Sequence, residues 1–257
     1  MATKSVSPAP SVFATFIRGG TSKAVFFHEK DIPPPGAARD RFLVRIMGSP
    51  DPAQINGMGG GRVVTSKVAI IRPSKRPDAD IDYIFAQTGL GEATVSYDAN
   101  CGNISSGVGP FAINEGLVKS STWCDGKRVV KIYNTGTGAL LVAHVPVDPA
   151  TGRALEKGNY AISGCQGTGA PILMDYSQTA LPKRMLPTGN AIDRLDSPET
   201  LIEDEFVIQH PAGHLPISVK TDNCEGYIGT PTFHRLGFMR TARYIFQGNL
   251  FIPSGLE

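Results

Sequence analysis

The sequence has 257 residues and a net charge of +2, with 25 Lys and Arg against 23 Asp and Glu. Hydrophobic residues make up 41% and charged residues 19%, which is typical of a soluble globular protein. This near-neutral balance indicates neither a nucleic-acid surface nor a polybasic membrane patch. No apolar stretch approaches the roughly 18 residues of a transmembrane helix. We therefore expect no nucleic acid and no membrane as a partner.

Glycine and proline are frequent, with 29 and 20 copies, which favours many turns and short strands over a helical bundle. Four cysteines are present, at positions 101, 124, 165 and 224. None lies in a C-x-x-C pair, and a chain of this length with four cysteines is not a disulfide framework. We therefore expect a reducing, cytoplasmic setting. No apolar segment near the N-terminus resembles a secretory signal.

The first predicted element is a hairpin, because apolar runs at residues 13–17 and 24–28 flank a glycine turn. A short amphipathic helix is predicted over residues 39–47, where apolar residues recur at helical spacing. A polar, glycine-rich loop over residues 48–61 follows the helix.

Later segments predict mainly strands around one buried helix. The helix is expected over residues 104–117, with Asn103 as its N-cap. Strands are predicted at residues 66–72, 81–87, 92–97, 128–133, 139–146, 159–163, 172–176, 205–209, 215–221, 237–243 and 249–252. The fold class is therefore α+β, with the sheet dominant.

Cys101 is the strongest candidate for chemistry because it precedes Gly102 and Asn103 at the predicted start of the helix. Backbone N–H groups and the helix dipole at such a position stabilise a thiolate or a bound carboxylate. A thiolate can act as a proton base or as a nucleophile. The alternative is that Cys101 is a small buried hydrophobic residue.

Lys67 is the second candidate, since it begins an apolar strand directly after the glycine-rich loop. A lysine that is desolvated at such a position can serve in acid–base catalysis. The alternative is an ordinary surface lysine at a strand end.

The hairpin turn at residues 18–23, Arg-Gly-Gly-Thr-Ser-Lys, combines two glycines, two hydroxyls and two cations. Such a set suits a carboxylate or a phosphate, although a plain turn with solvated charges fits equally well. The spacing excludes a Walker A motif, and the context of Gly57–Gly61 argues against a dinucleotide loop. His210 and His214 are separated by Pro211 and Gly213, so we expect no metal site.

Several motifs, taken in order, resemble the PrpF family of 2-methylaconitate isomerases. The resemblance covers residues 11–195 and 204–253. The motifs are Phe16-Ile17-Arg18-Gly19-Gly20-Thr21-Ser22-Lys23, Gly48-Ser49-Pro50-Asp51-Pro52, Gly57-Met58-Gly59-Gly60, Thr65-Ser66-Lys67, Asn100-Cys101-Gly102-Asn103, Leu186-Pro187-Thr188-Gly189-Asn190, His210-Pro211-Ala212-Gly213 and Met239-Arg240-Thr241-Ala242-Arg243.

The resemblance implies a diaminopimelate epimerase-like fold, in which each of two pseudo-symmetric lobes wraps a sheet around a central helix. It implies a first lobe at residues 1–185, with a central helix at about 103–117, and a reduced second lobe at residues 186–257. It also implies a cofactor-independent isomerase that moves a proton in a small unsaturated tricarboxylate, with Lys67 and Cys101 as the catalytic pair. The implied substrate-binding residues are Arg18, Gly19, Gly20, Thr21, Ser22, Asn100, Gly102 and Asn103.

One departure from the family pattern is its length, because a long stretch is missing between Leu195 and about Glu203. We expect the second lobe to be incomplete for this reason. The alternative to an active isomerase is a catalytically impaired short form that binds a tricarboxylate or a partner protein. Apolar surface left uncovered in the second lobe would favour a homodimer.

Overall fold

The first hairpin joins strands β1 (Ser11–Gly19) and β2 (Ser22–His28) through a two-residue turn. Gly20 has a φ of +51°, a left-handed conformation that glycine adopts without steric cost. The structure is a computed structural model, and it describes residues 10–179, 202–210, 213–221 and 233–252. The predicted strand pair is therefore confirmed.

Two α-helices lie in the described ranges, α1 (Ala37–Met47) and α2 (Gly102–Asn114). The strands after β2 are β3 (Lys67–Pro73), β4 (Ile81–Thr88), β5 (Val95–Ser96), β6 (Trp123–Cys124), β7 (Lys127–Asn134), β8 (Ala139–Pro146), β9 (Tyr160–Ala161), β10 (Thr168–Gly169), β11 (Ile172–Asp175), β12 (Ile202–His210), β13 (Gly213–Thr221), β14 (Phe233–Arg240) and β15 (Ala242–Phe251).

All strands except β9 and β10 belong to one mixed sheet. Its main path runs β12-β13-β14-β11-β8-β7-β4-β3-β2-β1-β15, and β5 and β6 pair with β4 and β7. The pairs β2–β3 and β4–β7 are parallel, and the others are antiparallel. The predicted α+β class with a dominant sheet is confirmed.

The sheet wraps around α2, because this helix contacts β1, β2, β3, β7, β8, β11 and β15. Ile104, Val108 and Phe111 of α2 are almost fully buried in a cluster with side chains of those strands. Phe111 packs against Phe26 of β2 with ring centroids 5.5 Å apart. Burying one such aromatic side chain is worth about 1.5–3 kcal/mol, so this cluster is a main source of stability.

Helix α1 covers the opposite face of the same strands. Phe42, Leu43 and Met47 pack against a second buried cluster that includes Phe27 of β2. Adjacent residues of β2 therefore point into different clusters, which explains its unbroken apolar run. The helix ends at Gly48, whose φ of +83° gives the left-handed cap common at helix C-termini.

Several predicted boundaries differ from the structure, and two of the differences have a clear long-range or backbone cause. Helix α2 ends at Asn114 rather than at residue 117, because Gly116 adopts a φ of +66° and the Leu117 N–H donates to the Ala112 carbonyl. The strand predicted at residues 237–243 is two strands that meet at Thr241. The carbonyl of Thr241 accepts a hydrogen bond from the Gly20 N–H instead of a sheet partner.

Strands from both predicted lobes share this sheet, through the pairs β1–β15 and β11–β14. No helix lies in the described residues after Thr179. The predicted division at residue 185, the motif at residues 186–190, Leu195 and Cys224 fall outside the described ranges. The division into lobes stays a prediction.

Candidate active site

The hairpin turn packs directly on the first turn of α2. A Cβ added at Gly19 would collide with the Asn103 carbonyl oxygen, and one added at Gly20 would collide with the Asn103 side chain. The Asn103 amide nitrogen donates to the Thr21 hydroxyl at 3.0 Å. The structure therefore brings together four predicted site residues from positions about 80 apart in the chain.

Cys101 is the N-cap of α2, since the Ser105 N–H donates to its carbonyl oxygen at 2.8 Å. Asn103, the predicted cap, instead lies inside the first turn, where its side chain bonds to other elements. The first N–H groups of an α-helix have no partner within the helix and carry partial positive charge. The Cys101 thiol therefore lies at the positive end of α2.

The residue before the cysteine is held from two sides. The Asn100 side-chain oxygen accepts hydrogen bonds from the Asn134 amide at 3.1 Å and from the Ser105 hydroxyl at 3.0 Å. Asn134, at the end of β7, is fully buried. The Asn100 side chain therefore holds the backbone before Cys101 in place. The predicted substrate contact of Asn100 stays a prediction.

Two buried tyrosines lie beside this cysteine. The hydroxyls of Tyr83 and Tyr176 make no hydrogen bond of regular geometry within the described residues, although the Ser105 hydroxyl lies close enough to act on the pKa of each. A Cβ added at Gly102 would lie 3.1 Å from the Tyr176 hydroxyl. Burial raises the pKa of both tyrosines well above the ordinary value, and the nearby Cys101 adds to the increase. Both hydroxyls therefore stay protonated and can donate a hydrogen bond into the site.

Lys67 is buried, with an exposed fraction of only 6%. Its Nζ donates to the Gln87 side-chain oxygen at 2.8 Å and lies 5.0 Å from the centroid of the Phe85 ring. The Gln87 amide nitrogen donates to the Ser66 carbonyl at 2.7 Å, which fixes the orientation of the amide. The prediction that Lys67 begins a buried strand is confirmed.

Lys67 and Cys101 lie on the same side of the sheet. Ala69 and Ile71 alternate with Lys67 along β3 and belong to the cluster around α2, so the Lys67 side chain also faces α2. Phe85, which Lys67 overlies, belongs to the same cluster, and Cys101 packs against that cluster. This arrangement places a primary amine and a thiol in the layer between β3, β4 and the start of α2.

Arg18 makes structural bonds. Its Nη1 donates to the Gly20 carbonyl at 2.9 Å and to the Thr241 carbonyl and hydroxyl, each at 3.1 Å. Ser22 is buried at the start of β2. The substrate-binding roles predicted for Arg18 and Ser22 stay predictions.

Arg240, at the end of β14, lies in the motif at residues 239–243, but the sequence gave it no site role. Its Nε donates to the Asn103 side-chain oxygen at 3.0 Å, and its guanidinium lies 4.3 Å from the centroid of the Phe238 ring. Phe238 in turn stacks on Tyr176, with ring centroids 5.1 Å apart. The local sequence gives no signal for these contacts, because they join residues 137 positions apart.

An open cleft of about 710 Å³ lies beside the turn and the start of α2. Thr21, Asn103 and Arg240 form part of its wall. Much of the remaining wall comes from the segment around β9 and from β13. Cys101 and Lys67 are not among its lining residues.

Metal ligation and membrane spans have no support in the described part of the chain. No group of three or more His, Cys, Asp or Glu side chains there could hold a metal ion. No helix among those residues combines the length and apolar character needed to cross a bilayer.

Comparison with known proteins gives consistent matches. A family profile described as "PrpF protein" matches residues 10–207. The 3-methylitaconate isomerase of Eubacterium barkeri is 47% identical over 193 residues, which cover 74% of this chain and 50% of that protein. The 2-methyl-aconitate isomerase of Cupriavidus necator is 40% identical over 235 residues, which cover 87% of this chain and 58% of that protein.

A crystal structure of a methylitaconate-delta-isomerase superposes on this chain with a TM-score of 0.78 at 40% identity, and the match covers 96% of this chain and 98% of that one. The chain spans about half the length of the curated relatives it matches. The family profile covers well over half of the sequence, in agreement with the resemblance carried by the motifs. The chain therefore belongs to the PrpF family.

Proposed function

We propose that this chain is a cofactor-independent isomerase that shifts a proton within a small unsaturated tricarboxylate of the aconitate or 2-methylaconitate type. The observation that carries the proposal is the buried amine of Lys67 on the side of the sheet where Cys101 begins α2. Membership of a family whose named relatives are 3-methylitaconate and 2-methyl-aconitate isomerases supports the same reaction class.

The reaction needs one base and one acid on a three-carbon unit. One of Lys67 and Cys101 removes a proton from the allylic carbon, and the electron pair moves into the adjacent carboxylate to form a dienolate. The other residue returns a proton at the far end of the unit, so the double bond moves by one position. One proton is removed and one is returned, so the proposed reaction needs no oxidant, metal or organic cofactor.

Carboxylate binding is assigned to the groups around the start of α2. The N–H groups of Gly102 and Asn103 point out of the helix end, where they stabilise negative charge that develops on the substrate. The backbone and hydroxyls of the turn at Gly19 and Thr21, together with Arg18, complete the proposed binding set. Tyr83 and Tyr176 add protonated hydroxyls beside Cys101.

The test is ultraviolet monitoring of aconitate and 2-methylaconitate isomers with the purified chain. Cys101→Ser and Lys67→Met should each lower kcat by about 10²–10⁴-fold, the range expected for loss of a general acid or base. Cys124→Ser, on the short strand β6, is the matched control and should keep the wild-type rate. Full activity in either site variant would remove that residue from the mechanism.

A second candidate function is a binder without turnover, and the short length of this chain relative to its curated relatives favours it. A ligand that binds only the folded state raises the melting temperature in proportion to the logarithm of its concentration. Stabilisation by trans-aconitate without isomerisation would identify the binder. Turnover would exclude it. A homodimer stays a prediction for either function.

A further inference from the structure

The guanidinium of Arg240 forms no ion pair with any carboxylate whose side chain the structure describes. Its hydrogen bonds go to neutral oxygens, those of the Asn103 side chain and the Met239 carbonyl. These bonds use Nε and Nη1, which leaves Nη2 as a donor.

The surroundings of Arg240 are unfavourable for an isolated positive charge. Burial lowers the pKa of the Arg240 guanidinium, although arginine remains protonated at any physiological pH. Asn103, its hydrogen-bond partner, lies in the first turn of α2, where the helix end carries partial positive charge. A partly desolvated cation beside a positive helix end is stabilised by an anion.

A second observation, independent of Arg240, also indicates a missing ligand. The Tyr176 hydroxyl is fully buried, makes no hydrogen bond of regular geometry within the described residues and approaches Gly102 at the helix start. Its ring stacks on Phe238, the same ring that the Arg240 guanidinium overlies. One layered group thus presents a guanidinium and an unpaired hydroxyl around the end of α2.

The cleft gives a ligand access to Arg240 and Asn103. Arg240, Asn103 and Thr21 lie on its wall, while Ile162, Ile208 and Leu215 supply apolar parts of the lining. A small polycarboxylate fits such a polar region, because the guanidinium can grip two oxygens of one carboxylate. The volume of about 710 Å³ is ample for a six- or seven-carbon acid.

We propose that Arg240 binds one carboxylate of the tricarboxylate substrate, while the N–H groups at the start of α2 bind another. This proposal rests on the proposed function for the substrate class. Arg18 uses its Nη1 for the Gly20 and Thr241 carbonyls, and Arg240 adds a second guanidinium to the proposed binding set.

The test is a binding cycle with a saturated probe that cannot be isomerised. Calorimetry would measure the affinity of propane-1,2,3-tricarboxylate, glutarate and 2-methylsuccinate for the wild-type chain and for Arg240→Gln. The variant should bind the tricarboxylate about 10–100-fold more weakly, the range expected for loss of a charged hydrogen-bond pair. Glutarate lacks the central carboxylate of the tricarboxylate, and 2-methylsuccinate lacks a terminal one. Whichever of the two lacks the carboxylate held by Arg240 should bind wild type and Arg240→Gln with equal affinity, because it has no group for Arg240 to bind.

Arg243→Gln is the matched control, three residues along on exposed β15, and should leave all affinities unchanged. Arg240→Lys keeps the positive charge but loses the planar guanidinium that can bind two oxygens, so its loss of affinity should be intermediate. If Arg240→Gln does not fold, Arg240→Lys replaces it as the test variant. The proposal is overturned if the wild-type chain does not bind the tricarboxylate, if both Arg240 variants bind it as tightly as wild type, or if Arg243→Gln weakens it equally.

The outcomes separate this proposal from the proposed reaction. Affinity that depends on Arg240 in a chain without turnover would contradict the isomerase and leave the subsite standing. Turnover in a chain whose affinity for the tricarboxylate is unchanged in the Arg240 variants would support the isomerase and contradict the subsite.

Discussion

The Lys67 amine is held inside the protein by the oriented side-chain amide of Gln87. The Gln87 side chain accepts from Nζ through its oxygen, while its nitrogen donates to the Ser66 carbonyl at 2.7 Å and the Thr88 carbonyl at 3.3 Å. These two bonds fix which end of the amide faces the lysine. Gln87 is therefore a positioning residue for the proposed acid–base group.

Replacing Gln87 tests this role. Gln87→Leu should lower kcat by about 10–100-fold with little change in KM, because a misplaced catalytic group slows chemistry more than binding. Gln178→Leu, at an exposed position, is the control. Unchanged kcat in Gln87→Leu, or a loss confined to KM, would show that the amide does not position Lys67.

Sequence motifs identified Lys67 and Cys101 as site residues, but they assigned no site role to Gln87, Tyr83 or Arg240. Tyr83 and Gln87 lie in the apolar strand β4 without a motif around them. Their roles in the site depend on Cys101 at the helix end and on Lys67 across the sheet. The contact between Arg240 and Asn103 joins residues 137 positions apart, so no local pattern indicates it. The prediction that Asn103 caps the helix was wrong because its amide is used by Thr21 and Arg240.

Among the elements, α2 carries both the core and the site. The helix end that holds Cys101 is fixed in place by the burial of its other turns among strands of the sheet. Its C-terminal end is held by Glu115, which bonds to His28 at 3.1 Å and to Gln247 at 2.8 Å. Loosening the packing of α2 should therefore reduce stability and activity together.

Phe111→Ala tests the contribution of this helix to stability. Phe111 is 1% exposed and packs against Phe26 and His28. The substitution should lower the free energy of unfolding by about 3–5 kcal/mol, the usual cost of removing a buried phenyl ring. Phe13→Ala is the control, because Phe13 is 44% exposed and should cost much less. Equal losses in the two variants, measured by urea denaturation, would contradict the assigned core.

A pH effect is expected at β8. Burial lowers the pKa of His144 and outweighs the opposing charge of Asp175; Lys127 and Arg235 lower the pKa further, and Asp125 opposes them weakly. The folded state therefore binds fewer protons at this site than the unfolded chain, whose histidine titrates near pH 6.5. Stability contributed by neutral His144 is present above that pH and is lost as the pH falls below it.

The measurement is the melting temperature between pH 7.5 and pH 5.5. His144→Gln should show a smaller decrease on acidification than wild type, because it removes the titrating group. The same substitution at exposed His214 is the control. Parallel pH profiles for wild type and His144→Gln would contradict this assignment.

Local patterns predicted the elements whose causes are local. The first hairpin and α1 follow from a glycine turn and from apolar spacing, and both were predicted to within two residues of an observed boundary. The break between β14 and β15 was missed, since it depends on Gly20 and Arg18 bonding to Thr241 from the other end of the chain. The short strands β6 and β10 were also missed.

Across the whole molecule, strand β15 links the two ends of the described chain. It pairs with β1 from Gly19 opposite Ala242 to Ser11 opposite Phe251. The same region supplies Thr241, which binds the hairpin turn, and Arg240, which binds Asn103. The site is therefore assembled from sequence segments more than 200 residues apart.

Removing β15 should consequently unfold the site and the sheet edge together. A chain that ends at Thr241 leaves β1 unpaired on one side and removes Ala242 from the core. We expect it to aggregate or to lose its cooperative melting transition. Phe251→Ser is the control, because Phe251 is 66% exposed, and its effect should stay within about 0.5 kcal/mol. A truncated chain that melts cooperatively at the wild-type temperature would contradict the role of this strand pair.

The most direct test of the proposed reaction is proton NMR of 2-methylaconitate or aconitate incubated with the chain in D₂O. Abstraction and return of a proton through Lys67 and Cys101 predicts interconversion of the isomers, with deuterium incorporated at the allylic carbon. Cys101→Ser and Lys67→Met should abolish both signals, while Cys124→Ser should retain them. A wild-type chain that binds these acids but neither interconverts them nor exchanges their allylic protons would contradict the assignment as an isomerase.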